Sequence, residues 1–328
     1  MNFQKLKKSL VLLASCMTLA MAVKPSFANE YPTRPIRLIC PYAAGGLTDT
    51  LSRMLAKRLS ERLGQSVVVE NRVGASGIIG VEAAAKSPAD GYTLVLVSQG
   101  LASVNSSLYK TLPYDTLRDF QPISLVSTFS MVFVANPEQP PKSLGEFISM
   151  AKARPGSLNY GSAGNATMAH LMTELFKDEV GIDVTHIPFK GESQAFNELM
   201  AGRLAGMFST LGGTLPLIQS GRLRALAVAT KERSKLLPNV PTVSEAGVTD
   251  FEVLGWYGIL APANVPKVIT SRLNKEFEAM LREPEIRDQM FRRGMEARSS
   301  SQEEFGKLIR SETERWKKIV VKADIRPE

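Results

Sequence analysis

The stretch PYAAGGLTDT, residues 41–50, joins an apolar β-branched run to a helical pattern through two adjacent glycines. One glycine suffices for a tight turn, so the second suggests close approach by something outside the backbone. Amides at a helix start lack intrahelical acceptors, and with the helix dipole they attract anions. Gly45 and Gly46 would let a carboxylate come close without a Cβ in the way. Thr48 or Asp49 would cap the helix. A plain strand-to-helix turn with a good cap is the competing reading. Asp49, itself negative, fits a cap or a supporting role better than contact with an anion.

YGSAGNAT, residues 160–167, repeats the design and adds the Ser162 hydroxyl. PFKG, residues 188–191, offers Lys190 as a countercharge, although a lone lysine is usually solvated. VSQG, residues 97–100, ends another apolar run. ENRVGASGIIG, residues 70–80, spaces its glycines as G-x-x-G-x-x-G. A dinucleotide turn needs G-x-G-x-x-G, so this is expected to be a backbone-packing loop. The sequence holds no G-x-S-x-G, no G-x-x-x-x-G-K-[ST] and no H-E-x-x-H. Neither catalysis nor a cofactor is expected. His170 and His186 are too few and too far apart for zinc.

These turns need strands before them and helices after them. IRLIC, SVVVE and TLVLVS are short β-branched runs. Between the first two, Leu51, Met54, Leu55, Leu59 and Leu63 repeat at helical spacing, and Gly64 stops the pattern. The run at 119–137 is too long for one ordinary strand and reads as two, separated near Ser127 to Ser130. Such a run suits a chain passing between domains. Further alternation predicts helices from about Thr167, Ser193 and Thr214. FEVLGWYGILAP then suggests a return crossing, where Trp256 and Tyr257 either line a cleft or pack in the core. Helices follow from Pro266 and Pro284. SQEE, residues 301–304, is a capping box before a last helix with Phe305, Leu308, Ile309, Trp316 and Val320 on one face. The expectation is α/β: a signal at 1–28, a first domain at 29–128 and 253–328, and a second at 129–252. Ligands of such sheets sit beyond the strand carboxyl ends, where these glycine turns fall.

Lys5, Lys7 and Lys8 precede an apolar stretch and the cleavage-type sequence SFA, which predicts export with cleavage after Ala28. LASC, residues 13–16, resembles a lipobox and leaves a lipoprotein anchored through Cys16 as the alternative. Without the four lysines of that segment the formal charge falls from +8 to +4. No basic block remains of the kind nucleic acid needs. The exported chain keeps only Cys40, so no intramolecular disulfide is expected, and Cys40 reads as a buried, inert thiol.

The order of YPTRPIRLICPYAAGGLTD, VVVENRVGASG, DGYTLVLVS, LPYDTLRDFQPISLV, LNYGSAGNAT, IPFKG, GRLRALAVAT, LPNVPTVSEAG and GWYGILAP resembles the Bug receptors, solute-binding proteins of tripartite tricarboxylate transporters. The match covers essentially all of the chain after the signal. The resemblance implies a type II periplasmic-binding fold, mostly parallel sheets in two domains, that closes on a small carboxylate and delivers it to a permease. It nominates Ala44, Gly45, Gly46, Thr48, Asp49, Ser98, Ser162, Gly164, Thr167, His170, Lys190, Gly191 and Ser209 as ligand-binding. A monomer without metal or cofactor is expected. Signalling to a sensor kinase, or an enzyme on the same fold, are the alternatives. Departures from the family pattern are Ser209–Thr210 where an Asp-Asn-like pair is common, Glu192 where a small residue is common, and Gly212–Gly213 in place of bulkier residues. The change at 209 argues against an amine-bearing ligand. The two glycines would make room for a bulkier acid.

Overall fold

The computed structural model describes residues 31–326, and from Arg34 onward they form one compact unit. The signal segment and Cys16 lie outside the described residues. Ten strands run β1 (Ile36–Cys40), β2 (Val67–Asn71), β3 (Thr93–Ser98), β4 (Phe120–Ala135), β5 (Asn159–Ser162), β6 (Thr185–Pro188), β7 (Met207–Thr210), β8 (Arg224–Val228), β9 (Leu254–Pro262) and β10 (Met295–Ala297). The helices are α1 (Leu47–Leu63), α2 (Ile78–Ala85), α3 (Asn105–Leu108), α4 (Thr116–Asp119), α5 (Leu144–Ala153) and α6 (Met168–Val180). They continue with α7 (Glu192–Met200), α8 (Leu211–Gln219), α9 (Lys267–Leu281), α10 (Pro284–Phe291) and α11 (Gln302–Lys322).

The architecture is α/β, with β4 at its centre. The 119–137 run does not break into two strands. A single 16-residue strand passes straight through Ser127 to Ser130. Its first part pairs with β9, from Phe120 opposite Pro262 to Ser130 opposite Leu254. Its last five residues pair with β7 and β8. The serines that suggested a break continue the ladder, because β9 and β10 supply partners there. Register shifts between Pro122 and Ser124 and between Leu125 and Ser127 let so long a strand bend without losing its ladder. The expected boundary at 128/129 falls inside this strand, and that at 252/253 just before β9.

The sheets are less parallel than expected. β1 pairs in parallel with β2 and β3, and β5 with β6. Every pairing of β4 or β9 is antiparallel.

Apolar packing follows the pattern read from the sequence. Leu51, Leu55, Leu59 and Leu63 of α1 are buried, while Met54 is only half-buried. Phe133, fully buried on β4, meets Phe147 at 4.7 Å and Phe208 at 4.9 Å between ring centroids. The capping box at Ser301 and Glu304 starts α11, whose Phe305, Ile309, Trp316 and Val320 are buried and Leu308 partly so.

The 70–80 loop is a packing device. Gly77 has φ of +96°, and a Cβ on Gly80 would stand 2.7 Å from the Arg72 carbonyl oxygen and 2.8 Å from the Pro41 Cβ. Gly80 therefore lets α2 press against the chain where the 41–49 turn begins. Gly80→Ala is expected to lower unfolding free energy by about 1–3 kcal/mol, the usual range for overpacking. Urea unfolding of the two proteins measures it, and equal midpoints would show that the contact yields freely.

Candidate ligand-binding cleft

Four helices start around one cleft of about 470 Å³. Leu47 begins α1, Thr167 and Met168 begin α6, Glu192 begins α7 and Thr210 caps α8, and all five residues line it. The caps of α1, α6 and α7 make no side-chain bond to their first-turn amides. Unspent N–H groups and the positive ends of the dipoles therefore meet in one space. Among the described residues, no lysine, arginine or histidine lines it. Volume alone would not single this cleft out, since a hollow of about 500 Å³ lies around Trp256 and Arg298. The helix beginning beside that hollow, α11, has a satisfied capping box.

Tyr42, Ser98 and Tyr257 add hydroxyls to the wall. Tyr42 donates to Ser98 Oγ at 2.6 Å, and the Leu101 amide reaches the same oxygen at 3.4 Å. Ser98 receives both, so its own proton is left to donate. Desolvation raises the pKa of both tyrosines, keeping them protonated donors. Phe129 packs against Tyr257 with the rings tilted and centroids 5.1 Å apart, and gives the cleft an apolar side with Met131 and Leu171.

The profile of the tripartite tricarboxylate transporter family receptor matches residues 51–325. The chain belongs to this receptor family. It is 37% identical to BugT of Bordetella pertussis over 297 residues, 90% of this chain and 91% of that one. A solved R. palustris protein described with adipate is 35% identical, with a TM-score of 0.79 over 91% of this chain and all of that one. The periplasmic binding protein BugD is 32% identical, with a TM-score of 0.75 over 91% of this chain and all of that one. Membership makes the protein a solute-binding receptor rather than an enzyme.

Of the residues nominated from the sequence, Ser98 and Thr167 line the cleft, and Thr48, Asp49, Ser162, His170 and Ser209 are buried. Thr48 and Asp49 are buried and do not cap α1, which starts at Leu47 with Gly46 as its cap. Asp49 Oδ2 accepts from the Gly45 amide and from Arg53 Nε, both at 2.9 Å, and Oδ1 accepts from Asn71 Nδ2 at 2.8 Å. The Gly45 N–H is thus spent inside the protein. Ala44, Gly45 and Gly46 are exposed just before the cleft-lining Leu47.

In the second turn, fully buried Ser162 donates to the Gly164 carbonyl and contacts His186 Nε2 at 2.6 Å. Thr167 Oγ1 donates to the same carbonyl at 2.8 Å. His170 lies behind the turn, its Nδ1 accepting the Ala166 amide at 3.1 Å, and stacks on His186 at 3.8 Å. Gly191 and exposed Lys190 precede Glu192, and the Lys190 amide donates to Gln194 at 3.0 Å. Ser209 is fully buried and bonded to Glu192.

Gly212 is held by a close backbone approach, and Gly213 by the cleft-lining Glu192 and Thr210. A Cβ on Gly212 would meet the Arg293 carbonyl oxygen at 2.5 Å, and one on Gly213 would meet Glu192 Oε2 at 2.9 Å. Sequence reasoning missed Tyr42, Glu192 and Thr210 as cleft residues. The departure at 192 was the available signal.

Two pH effects follow. The Arg53 guanidinium, then the Gly45 amide, hold Asp49 at about 2 against an ordinary 3.8. Its stabilisation is full above 3.8 and lost as pH falls through about 2. Asp49→Asn should be less stable than wild type at pH 7, with the gap closing between pH 4 and 2 in urea titrations. A gap independent of pH would exclude the ionised group as its source.

Burial, then neighbouring His170, lower His186 to about 3 from 6.5. The unfolded chain therefore binds a proton that the folded one refuses, and stability drops as pH falls below 6.5 toward 3. His186→Gln should flatten that decline. An unchanged slope would place the proton elsewhere.

Proposed function

We propose that the protein is a periplasmic receptor that captures a small organic acid in this cleft and delivers it to the membrane permease of a tripartite transporter. The observation that carries the reading is the meeting of four helix starts in a cleft that no cationic side chain among the described residues lines. Such a site holds a carboxylate by amides and hydroxyls. Relatives point the same way: one R. palustris protein is described with adipate, and MatC from Rhodopseudomonas palustris, 29% identical, with bound malate. No helix among the described residues is long and apolar enough to cross a membrane.

In this reading residues 29–128 and 253–328 form one domain and 129–252 the other, and β4 and β9 are the strands that flex between them. The α1 start and Ser98 hold the acid from one side, and the α6 turn closes on it from the other. The closed form is what the permease recognises.

A charge test separates binding from folding. Leu47 is 38% exposed at the first position of α1, where an acidic side chain suits the helix dipole. Leu47→Glu should preserve the thermal midpoint yet weaken acid binding by about tenfold or more, through like-charge repulsion at close range. The screen would use purified protein stripped of carried-over solute, with dicarboxylates, aromatic carboxylates, amino acids and neutral sugars. A ligand at 100 times its Kd adds roughly 2.7 kcal/mol, readily seen as a thermal shift. Tight binding only of neutral compounds, or acid binding indifferent to Leu47→Glu, would overturn the reading.

A further inference from the structure

One residue breaks the apolar stripe of α11. Phe305, Ile309, Trp316, Ile319 and Val320 are buried, and their i+3 and i+4 spacing puts position 312 among them, where the chain has Glu312. The residues on either side of it belong to different cores. Phe305 and Ile309 pack with Val95, Val97 and Trp256. Trp316, Ile319 and Val320 pack instead with Phe133, Phe147 and Leu171. Glu312 therefore sits where the helix passes from one core to the other. Its side chain is only 13% exposed, and packing alone would be served better by a leucine.

The carboxylate is held from two directions. Glu312 Oε2 accepts the Trp316 indole N–H at 2.8 Å, and the same oxygen accepts the Gln99 side-chain amide. Gln99 is buried and lines the cleft, and among the described residues its own carbonyl oxygen has no hydrogen-bond partner. A buried acceptor left open costs stability, so stability does not explain the amide. The next residues, Gly100–Val104, form a π-helical turn, a rare form met mostly at functional sites. From that turn Ser103 Oγ donates to the Ile309 carbonyl at 3.3 Å. Two bonds thus fasten the segment that begins with Ser98 to α11, at the changeover between its cores.

We propose that Glu312 is a positioning residue for solute capture, coupling the two walls of the cleft through α11. The proposal rests on the reading of that cleft as the solute site. A solute against Ser98 or Gln99 shifts the Gln99 amide. Because both donors share one oxygen, a change in the Gln99 bond changes the Trp316 bond. Trp316 shares its core with Leu171 of α6, and Leu171 lines the cleft from the other side. Capture at one wall is thereby felt at the other by a route that runs behind the ligand.

The indole N–H resonances test this. The sequence holds two tryptophans, so isotope-labelled tryptophan gives two signals, which Trp256→Phe assigns. Without solute, Gln99→Met should move the Trp316 signal. In wild type, adipate, malate or any acid retained in the thermal screen should move it too, and in Glu312→Leu none should. Calorimetry should show Glu312→Leu binding that acid about fivefold or more weakly, in the usual range of coupling between sites. Glu312→Gln, whose carbonyl can accept from both donors, should keep most of the affinity. Ile309→Val, a packing change on the same face of α11, should lower the thermal midpoint and leave affinity unchanged. A Trp316 signal indifferent to Gln99→Met or to bound acid overturns the coupling and leaves the cleft reading standing. So does an affinity that falls in step with stability across all these variants. If Glu312→Leu fails to fold, the Trp316 signal in Gln99→Met and in wild type decides alone. If no acid binds the folded protein, the cleft reading and the coupling fall together.

Discussion

Anion binding without a cationic side chain must be done by backbone dipoles, and backbone dipoles act only where the fold aims them. Each helix that opens on the cleft follows a strand directly: β1 leads to α1, β5 to α6, β6 to α7 and β7 to α8. β4 joins two of those strand ends, β1 and β7, while β5 and β6 pair with each other in a separate two-stranded sheet. The first part of β4 carries β9 and through it β3 and β1, and its last residues carry β7 and β8. Phe133, locked among Phe147, Phe176 and Phe208, fixes the end of β4 on which β7 rests. Aromatic packing far from any ligand thus decides where the amides converge.

The turns themselves are tied down before a ligand arrives. Asp49 holds the first through Gly45 and Arg53, and the Gly164 carbonyl gathers two hydroxyls in the second. His170, by accepting the Ala166 amide, supports a residue with φ of +59° that would otherwise pay for that conformation. Ordering costs met in folding need not be met again on binding. This is why residues that read as ligand contacts turn out to be hydrogen-bonded to their own turn. Glycine and hydroxyl chemistry serves both purposes, and one sequence cannot separate them.

Local pattern carried most of the architecture. The periodic leucines of α1, the capping box of α11 and the strand-turn-helix alternation all reappear, because each is decided within a few residues. The unbroken β4 was not legible: whether its serines end a strand depends on β9 and β10, more than a hundred residues away. The strand direction of β9 was hidden for the same reason. At the cleft, the glycine turns were visible as helix starts, but the sequence does not say which amides remain free. Tyr42 and Thr210 sit in stretches singled out for other residues.

Glu192 shows what such a reading leaves out. Position by position, the chain lacks an acid at 209 and has an unexpected one at 192, two departures that look independent. In space they are one arrangement, since Ser209 Oγ is the donor that seats the Glu192 carboxylate. Gly213 then has a reason that needs no larger ligand: a Cβ there would displace the carboxylate from its seat. Charge in the cleft is therefore a property of three residues together. It is set by which side chain reaches the α8 start, not by which residue type occupies any single position.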